Sequence, residues 1–304
     1  MERNLSRRTL LSALGGGAVC VAAPELTRAA ARSMGERLVS IERASGGRLG
    51  VFVLDTASGR STGHRMDERF GLCSTFKLLL AVAVLREADA GRLSLDQHVT
   101  YTQRDLVPYA PVAEKHLSDG GMIVGALAEA AQVMSDNVAA NLLLRLLGGP
   151  EGFTRILREL GDDVTRLDRY EPEMNFVPAG ELRDTTTPRA VAATVSRALT
   201  GDVLRVVSRA KLIDWMVATR TGLRRLRAGF PQGWRAGDKT GTGSMLGMPN
   251  KHNDVAIVWP PGRAPCIVAA YLDARGHFEK NRAADDAVLA DVGRAAADWI
   301  VASA

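Results

Sequence analysis

Three short clusters carry the reactive chemistry of this chain: Ser74-Thr75-Phe76-Lys77, Ser135-Asp136-Asn137 and Lys239-Thr240-Gly241-Thr242-Gly243. A serine hydroxyl is a poor nucleophile until something removes its proton. A lysine three residues further along a helix lies over the same face and can help to do that. At a helix start the free N–H groups and the positive end of the dipole also let the Ser74 N–H serve an oxyanion. Ser135 can pass a proton to the leaving nitrogen of an amide, and Asn137 offers both a donor and an acceptor to a substrate amide. Asp136 reads as the cap of the helix that follows. Gly241 lets a ligand approach the strand backbone. Thr242 can offer its N–H as a second oxyanion donor, and Lys239 with the hydroxyls of Thr240 and Thr242 makes an anion clamp. Taken singly, the clusters read as an N-cap serine, a helix cap and an edge strand with a solvated lysine. Taken in this order along one chain, they point to acyl transfer through a serine ester.

A fourth segment, Arg166-Leu167-Asp168-Arg169-Tyr170-Glu171-Pro172-Glu173-Met174-Asn175, supplies what a hydrolase needs next. An ester intermediate must be attacked by water, and Glu171 is a candidate base with Asn175 a second ligand for that water. An Arg169–Asp184 ion pair would tie the base of the loop. The alternative is a solvated acidic helix start at Glu171 and Glu173.

These groups need elements to hold them. Apolar spacing predicts a first helix over 33–46 and a strand over Leu49–Thr56, followed by a turn and a short second strand. A buried helix is expected over Ser74–Ala90. The middle of the chain reads as helices over Val124–Met134, Asn137–Leu147, Gly152–Leu160, Pro188–Leu199 and Val206–Thr219. Strands return at Trp234–Gly243, Asn253–Pro260 and Cys266–Asp273, before an alanine-rich helix over Ala284–Ala302. Strands from both chain ends with helices between predict an α+β fold: an antiparallel sheet flanked by helices, with an inserted all-helical domain and the active site between them. The expected division is a leader over 1–31, a sheet domain over 32–70 and 226–304, and a helical domain over 71–225.

With S-x-x-K, S-D-N and K-T-G in place, the chain resembles the class A serine β-lactamases and the wider penicillin-binding superfamily over roughly residues 35–302. The Glu171–Asn175 segment looks like the Ω-loop of that class, which implies a cis Glu171–Pro172 bond. Leu106-Val107-Pro108-Tyr109 resembles the stretch before S-D-N and implies that Tyr109 is an aromatic wall of the site. Arg225 resembles the arginine that some branches use to support the substrate carboxylate. Other branches carry it on the strand after K-T-G, where only Lys251 stands here. Some members bridge the residue before the nucleophile to the position of Gly243, and glycine there removes that bridge. The connection Ser244–His252 is longer than in most relatives. The resemblance implies hydrolysis of β-lactam antibiotics. The alternatives are a penicillin-binding D,D-peptidase, which should lack the loop glutamate, and a non-hydrolysing penicillin receptor.

Bulk properties agree with an exported enzyme acting on small molecules. The chain has 304 residues and a net charge of +5, too mild for a nucleic-acid partner. Ser6-Arg7-Arg8-Thr9-Leu10-Leu11 resembles a twin-arginine signal, and Ala29-Ala30-Ala31 offers a small-x-small cleavage site. The apolar stretch behind it is shorter than the ~20 residues of a spanning helix. An ordinary basic leader is the alternative, and either one sends the enzyme to the periplasm or medium, without stable membrane insertion. Cys20 falls in the leader; Cys73 and Cys266 are expected as buried free thiols. The five histidines are scattered without ligand spacing, so no metal or cofactor is expected. A monomer is expected.

Overall fold

The computed structural model describes residues 22–303, with side chains from residue 33 onward. Of the expected leader, residues 1–21, including Arg7-Arg8 and Cys20, lie outside the described residues. The first helix, α1 (Ala22–Ser45), begins well before residue 33. Alanine is the strongest helix former, and the run Ala29-Ala30-Ala31 carries the helix through. It stops at Gly46, whose φ of 66° suits the left-handed position after a helix.

β1 (Arg48–Asp55) and β2 (Ser61–His64) form a hairpin, and the two-residue β3 (Phe70–Gly71) leads to the nucleophile segment. There a 3₁₀ turn over Cys73–Thr75 runs directly into α2 (Phe76–Asp89). β4 (His98–Thr100) and β5 (Gly121–Ile123) pair beneath α3 (Val124–Val133), which is followed by α4 (Asn137–Leu146) and α5 (Gly149–Glu159). After the Ω-loop, β6 (Thr185–Thr186) pairs with β3, and α6 (Pro188–Thr200), α7 (Val206–Ala218) and the short α8 (Leu226–Gly229) complete the middle of the chain. β7 (Arg235–Gly243), β8 (Lys251–Trp259), β9 (Cys266–Asp273) and α9 (Ala283–Ala302) close it.

The main sheet has the order β2-β1-β9-β8-β7, every neighbour antiparallel. This is the α+β class expected. Side chains alternate across the strands. Val51 and Val53 of β1 and Ala256 and Val258 of β8 pack with α1 and α9 residues such as Leu38, Leu289 and Trp299. Phe52, Val255 and Ile257 turn to the other face, where they join one continuous core with α2, α3, α4 and α6. Covering both faces explains why β8 and β9 are buried almost end to end. Each fully buried aliphatic or aromatic side chain contributes about 1.5–3 kcal/mol. No described helix is long and apolar enough to cross a membrane.

Candidate active site

The turn before α2 is held from three sides. Leu72 N–H donates to Asp184 O at 2.9 Å, Asn253 Nδ2 donates to Gly71 O at 2.8 Å, and Thr75 Oγ1 donates to Leu72 O at 2.6 Å. The Thr75 hydroxyl also meets Tyr271 Oη at 3.1 Å. Cys73 takes a φ of 43°, a left-handed conformation that is costly for a residue with a side chain. Of the five non-glycine residues with positive φ among the described residues, Cys73, Tyr109, Ser135 and Asp184 all border this cleft or its loop. A Cβ at Gly241 would lie 2.9 Å from Leu72 O, so only glycine lets β7 pass this close to the turn.

Lys77 is fully buried one turn after Ser74. Its Nζ donates to Ser74 Oγ at 2.9 Å, to Ser135 O at 2.9 Å and to Asn137 Oδ1. It also forms an ion pair with Glu171 Oε1 at 2.9 Å, both side chains sealed from solvent. Ser74 Oγ donates to the same Glu171 oxygen at 3.2 Å. Hydroxyl, ammonium and carboxylate thus form a closed triangle.

Glu171 is fixed through its own backbone. Asn141 on α4 accepts from Glu171 N–H at 2.9 Å and donates to Glu171 O at 2.8 Å. The Glu171–Pro172 bond is cis. Asn175 Nδ2 donates to Glu171 Oε2 at 2.5 Å and to Pro172 O at 3.0 Å, while Asn175 Oδ1 is buried and has no partner among the described residues. At the base of the loop Arg169 pairs with buried Asp184, which also accepts from the N–H groups of Asp168 at 2.7 Å and Arg169 at 3.0 Å.

The S-D-N and K-T-G clusters meet opposite α2. Asp136 caps α4 through Ala139 N–H and accepts from Val112 and Ala113 N–H, all at 2.9 Å. Asn137 Nδ2 donates to Pro108 O at 2.7 Å, which holds the loop that presents Tyr109, 58% exposed, to the cleft. Lys239 Nζ donates to Ser135 Oγ at 2.9 Å and to Thr240 O at 2.8 Å. Burial, and then the neighbouring Lys77 charge, hold the Lys239 ammonium well below its usual pKa of 10.5.

Arg225 lies behind β7 rather than out in the cleft, and only 5% of it is exposed. It pairs with Asp286 at 2.7 Å, donates to Gly241 O and Asn253 O, and donates to Thr242 Oγ1 at 2.7 Å. Accepting from Arg225 leaves the Thr242 hydroxyl free to donate outward. Lys251 turns away and bonds Asp273 at 2.7 Å. The thiols are free, as expected; burial pushes Cys73 up to about 12 and Cys266 likewise to about 12, so neither is a thiolate near neutrality. No group of three or more potential ligands able to hold a metal occurs among the described residues.

Ser74, Tyr109, Ser135, Asn137, Glu171, Asn175, Arg225, Thr240 and Thr242 line one cleft of about 610 Å³. It also contains residues that the sequence reading passed over: Arg220, Thr221, Leu223, Arg224, Asn281 and Asp286. Asn141 was missed as well. Its signal was a lone amide in an apolar helix, four residues after Asn137 and therefore on the same face.

The profile of the Beta-lactamase enzyme family matches residues 33–300. Beta-lactamase FAR-1 of Nocardia farcinica is 48% identical over 256 residues, covering 84% of this chain and 79% of that protein. Beta-lactamase AST-1 of Nocardia asteroides is 46% identical over 293 residues, covering 95% and 91%. Among solved structures, an ancestral class A β-lactamase superposes with a TM-score of 0.82 at 55% identity, over 86% of this chain and 98% of that one.

Proposed function

The chain belongs to the class A serine β-lactamases and hydrolyses β-lactams, and from that premise we propose a role for each group in the cleft. Ser74 Oγ attacks the lactam carbonyl, forming the ester while the C–N bond breaks. Glu171 Oε1 already accepts from Ser74 Oγ at 3.2 Å, so the Ser74 proton goes to Glu171, directly or through a water. Lys77 stabilises the charge that develops on Oγ. The N–H groups of Ser74 and Thr242 hold the oxyanion. Ser135 gives its proton to the departing ring nitrogen and is resupplied from Lys77 or Lys239, and Glu171 passes the Ser74 proton on to that lysine pair through Lys77, which restores the carboxylate for the second half of the reaction. Lys239, Thr240 and Thr242 grip the ring carboxylate, with Arg225 acting through the Thr242 hydroxyl. Gly241 lets β7 lie close against the turn that carries Ser74, Asn137 meets the acyl side-chain amide, and Tyr109 walls the entrance.

Deacylation then needs a water, and one observation carries this step: the Glu171 carboxylate stands 3.2 Å from Ser74 Oγ beside the orphaned, buried Asn175 Oδ1. A water donating one hydrogen to Asn175 and the other to Glu171 would aim its lone pair at the ester carbon. The test is a time-resolved mass spectrum after penicillin. Wild type returns to its free mass, while Glu171→Ala retains an adduct on Ser74. Full turnover by that variant would remove Glu171 from the mechanism, and a persistent adduct on the wild type would favour the penicillin-receptor reading.

A monomer is the proposed working state, a reading supported by a catalytic set that needs no residue from a second copy. It is exported to the periplasm or medium by the twin-arginine route, a reading supported by Arg7-Arg8 and by the family match beginning at residue 33. Its two units are 32–70 with 226–304, and 71–225. In support, the five strands of the main sheet lie outside 71–225.

A further inference from the structure

Segment 220–227 places four arginines at or behind the cleft wall, and two of them have a carboxylate to answer. Arg225 pairs with Asp286 at 2.7 Å, and Arg227 pairs with Asp238. Asp214 on the preceding helix lies 3.6 Å from Arg235. Arg220 and Arg224 are exposed, line the cleft, and have no side-chain partner among the described residues.

The backbone that carries them is fixed. Gln132 Nε2 donates to Thr219 Oγ1 at 3.1 Å and to Asp238 O at 2.9 Å, and the hydroxyls of Thr221 and Thr240 meet at 2.6 Å. A Cβ on Gly222 would sit 1.7 Å from Asp238 Oδ2, so the segment lies flat on β7. The two guanidinium groups therefore start from a rigid base and move only by their own torsions.

Their neighbours say which side of a substrate they face. Thr221 touches Thr240, and Arg220 N–H donates to Val133 O, two residues before Ser135. In the reading above, Ser135 and the Thr240 edge take the ring nitrogen and the ring carboxylate, and the inference rests on that reading. We infer that Arg220 and Arg224 form a second anion subsite. It selects β-lactams that carry a further negative charge on a substituent of the ring fused to the lactam. Leu223, 60% exposed between them, gives the stem of such a substituent an apolar contact. Planar guanidinium forks suit a carboxylate, a sulfonate or an ionised heterocycle. The groups keep much of their hydration, so the preference is modest and sensitive to salt.

The test uses three cephalosporins that share one acylamino side chain and bear an anionic, a neutral or a cationic substituent at the third ring position. kcat/KM is measured for wild type and for Arg220→Gln/Arg224→Gln. At low ionic strength the wild type should favour the anionic over the cationic member by about tenfold. That ratio should fall towards unity in the double variant and at about 0.5 M salt, while the neutral member changes by less than about twofold. A ratio that persists in the variant, or no charge preference in the wild type, overturns the subsite. A pair of penicillins differing only by a carboxylate on the acylamino side checks its position. If the variant loses discrimination there instead, the orientation of the substrate is wrong. Turnover of the neutral cephalosporin, and its loss in Ser74→Ala, reports on hydrolysis separately from either result.

Discussion

Lys239 carries a charge that its surroundings oppose. Burial is the larger cause and the Lys77 ammonium adds to it, so the group deprotonates well below the usual 10.5. A bound carboxylate offsets both effects, because opposite charge favours the ionised form. Affinity for carboxylate-bearing substrates should therefore fall as pH rises through that lowered value. The expected measurement is a KM that climbs on the alkaline side well before pH 10.5, with kcat less affected. In Lys239→Arg the guanidinium stays charged, and the climb should vanish. A flat KM in the wild type would mean that other groups bear the clamp. The neighbouring Thr242 shows how far such a clamp extends behind the surface. Its outward hydroxyl depends on Arg225, and Arg225 in turn on Asp286, two residues that never need to touch substrate.

The Ω-loop depends on a brace at its base. Asp184 is sealed from solvent and burial raises its pKa, while the N–H groups of Asp168 and Arg169 and the Arg169 side chain favour its ionised form. Arg169→Ala should leave that carboxylate short of a partner and destabilise the fold by about 3 kcal/mol, a Tm fall of about 6 °C or more. The same variant should accumulate acyl-enzyme, since Asp184 O also anchors Leu72 two residues before Ser74. An unchanged Tm would show that the loop holds without its brace. This brace was legible in the sequence, as were the long helices and the five strands of the main sheet, because residue types at a turn, cap or apolar period are local signals; the short strands β3 to β6 and the single turn α8 were not, and the cis bond followed only from the family resemblance. α5 begins three residues earlier than its periodicity suggested, and Pro150 near its start explains the extension. Asp286 was not legible. It meets Arg225 from α9, the opposite end of the sheet domain, and no local pattern announces a partner so distant in sequence. Arg220 and Arg224 were not legible as site residues either, and only the folded chain separates them from the paired Arg225 and Arg227.

Across the whole molecule, Glu42 ties α1 to the sheet. It accepts from Leu49 N–H at 2.9 Å and from Arg65 at 2.7 Å, and it meets His64 at 2.9 Å. Burial raises its pKa, but these hydrogen bonds outweigh it and bring the group from 4.5 down to about 2. A carboxyl whose folded pKa lies below its unfolded one stabilises fully above the unfolded value and loses that contribution as pH falls through the folded value. Glu42→Gln should therefore be less stable than wild type by about 1–2 kcal/mol above pH 4.5, and the two should converge near pH 2. Denaturation curves at several pH values check this, and a gap that does not narrow in acid would assign the loss to packing. One consequence concerns the ribosome. The strand bearing Lys239 hangs from β8, β8 from β9, and β9 from β1 near the other terminus. Ser74 is therefore translated long before the strand that carries its anion clamp, and a nascent chain cannot complete its cleft until β8 and β9 have been made to hold that strand in place.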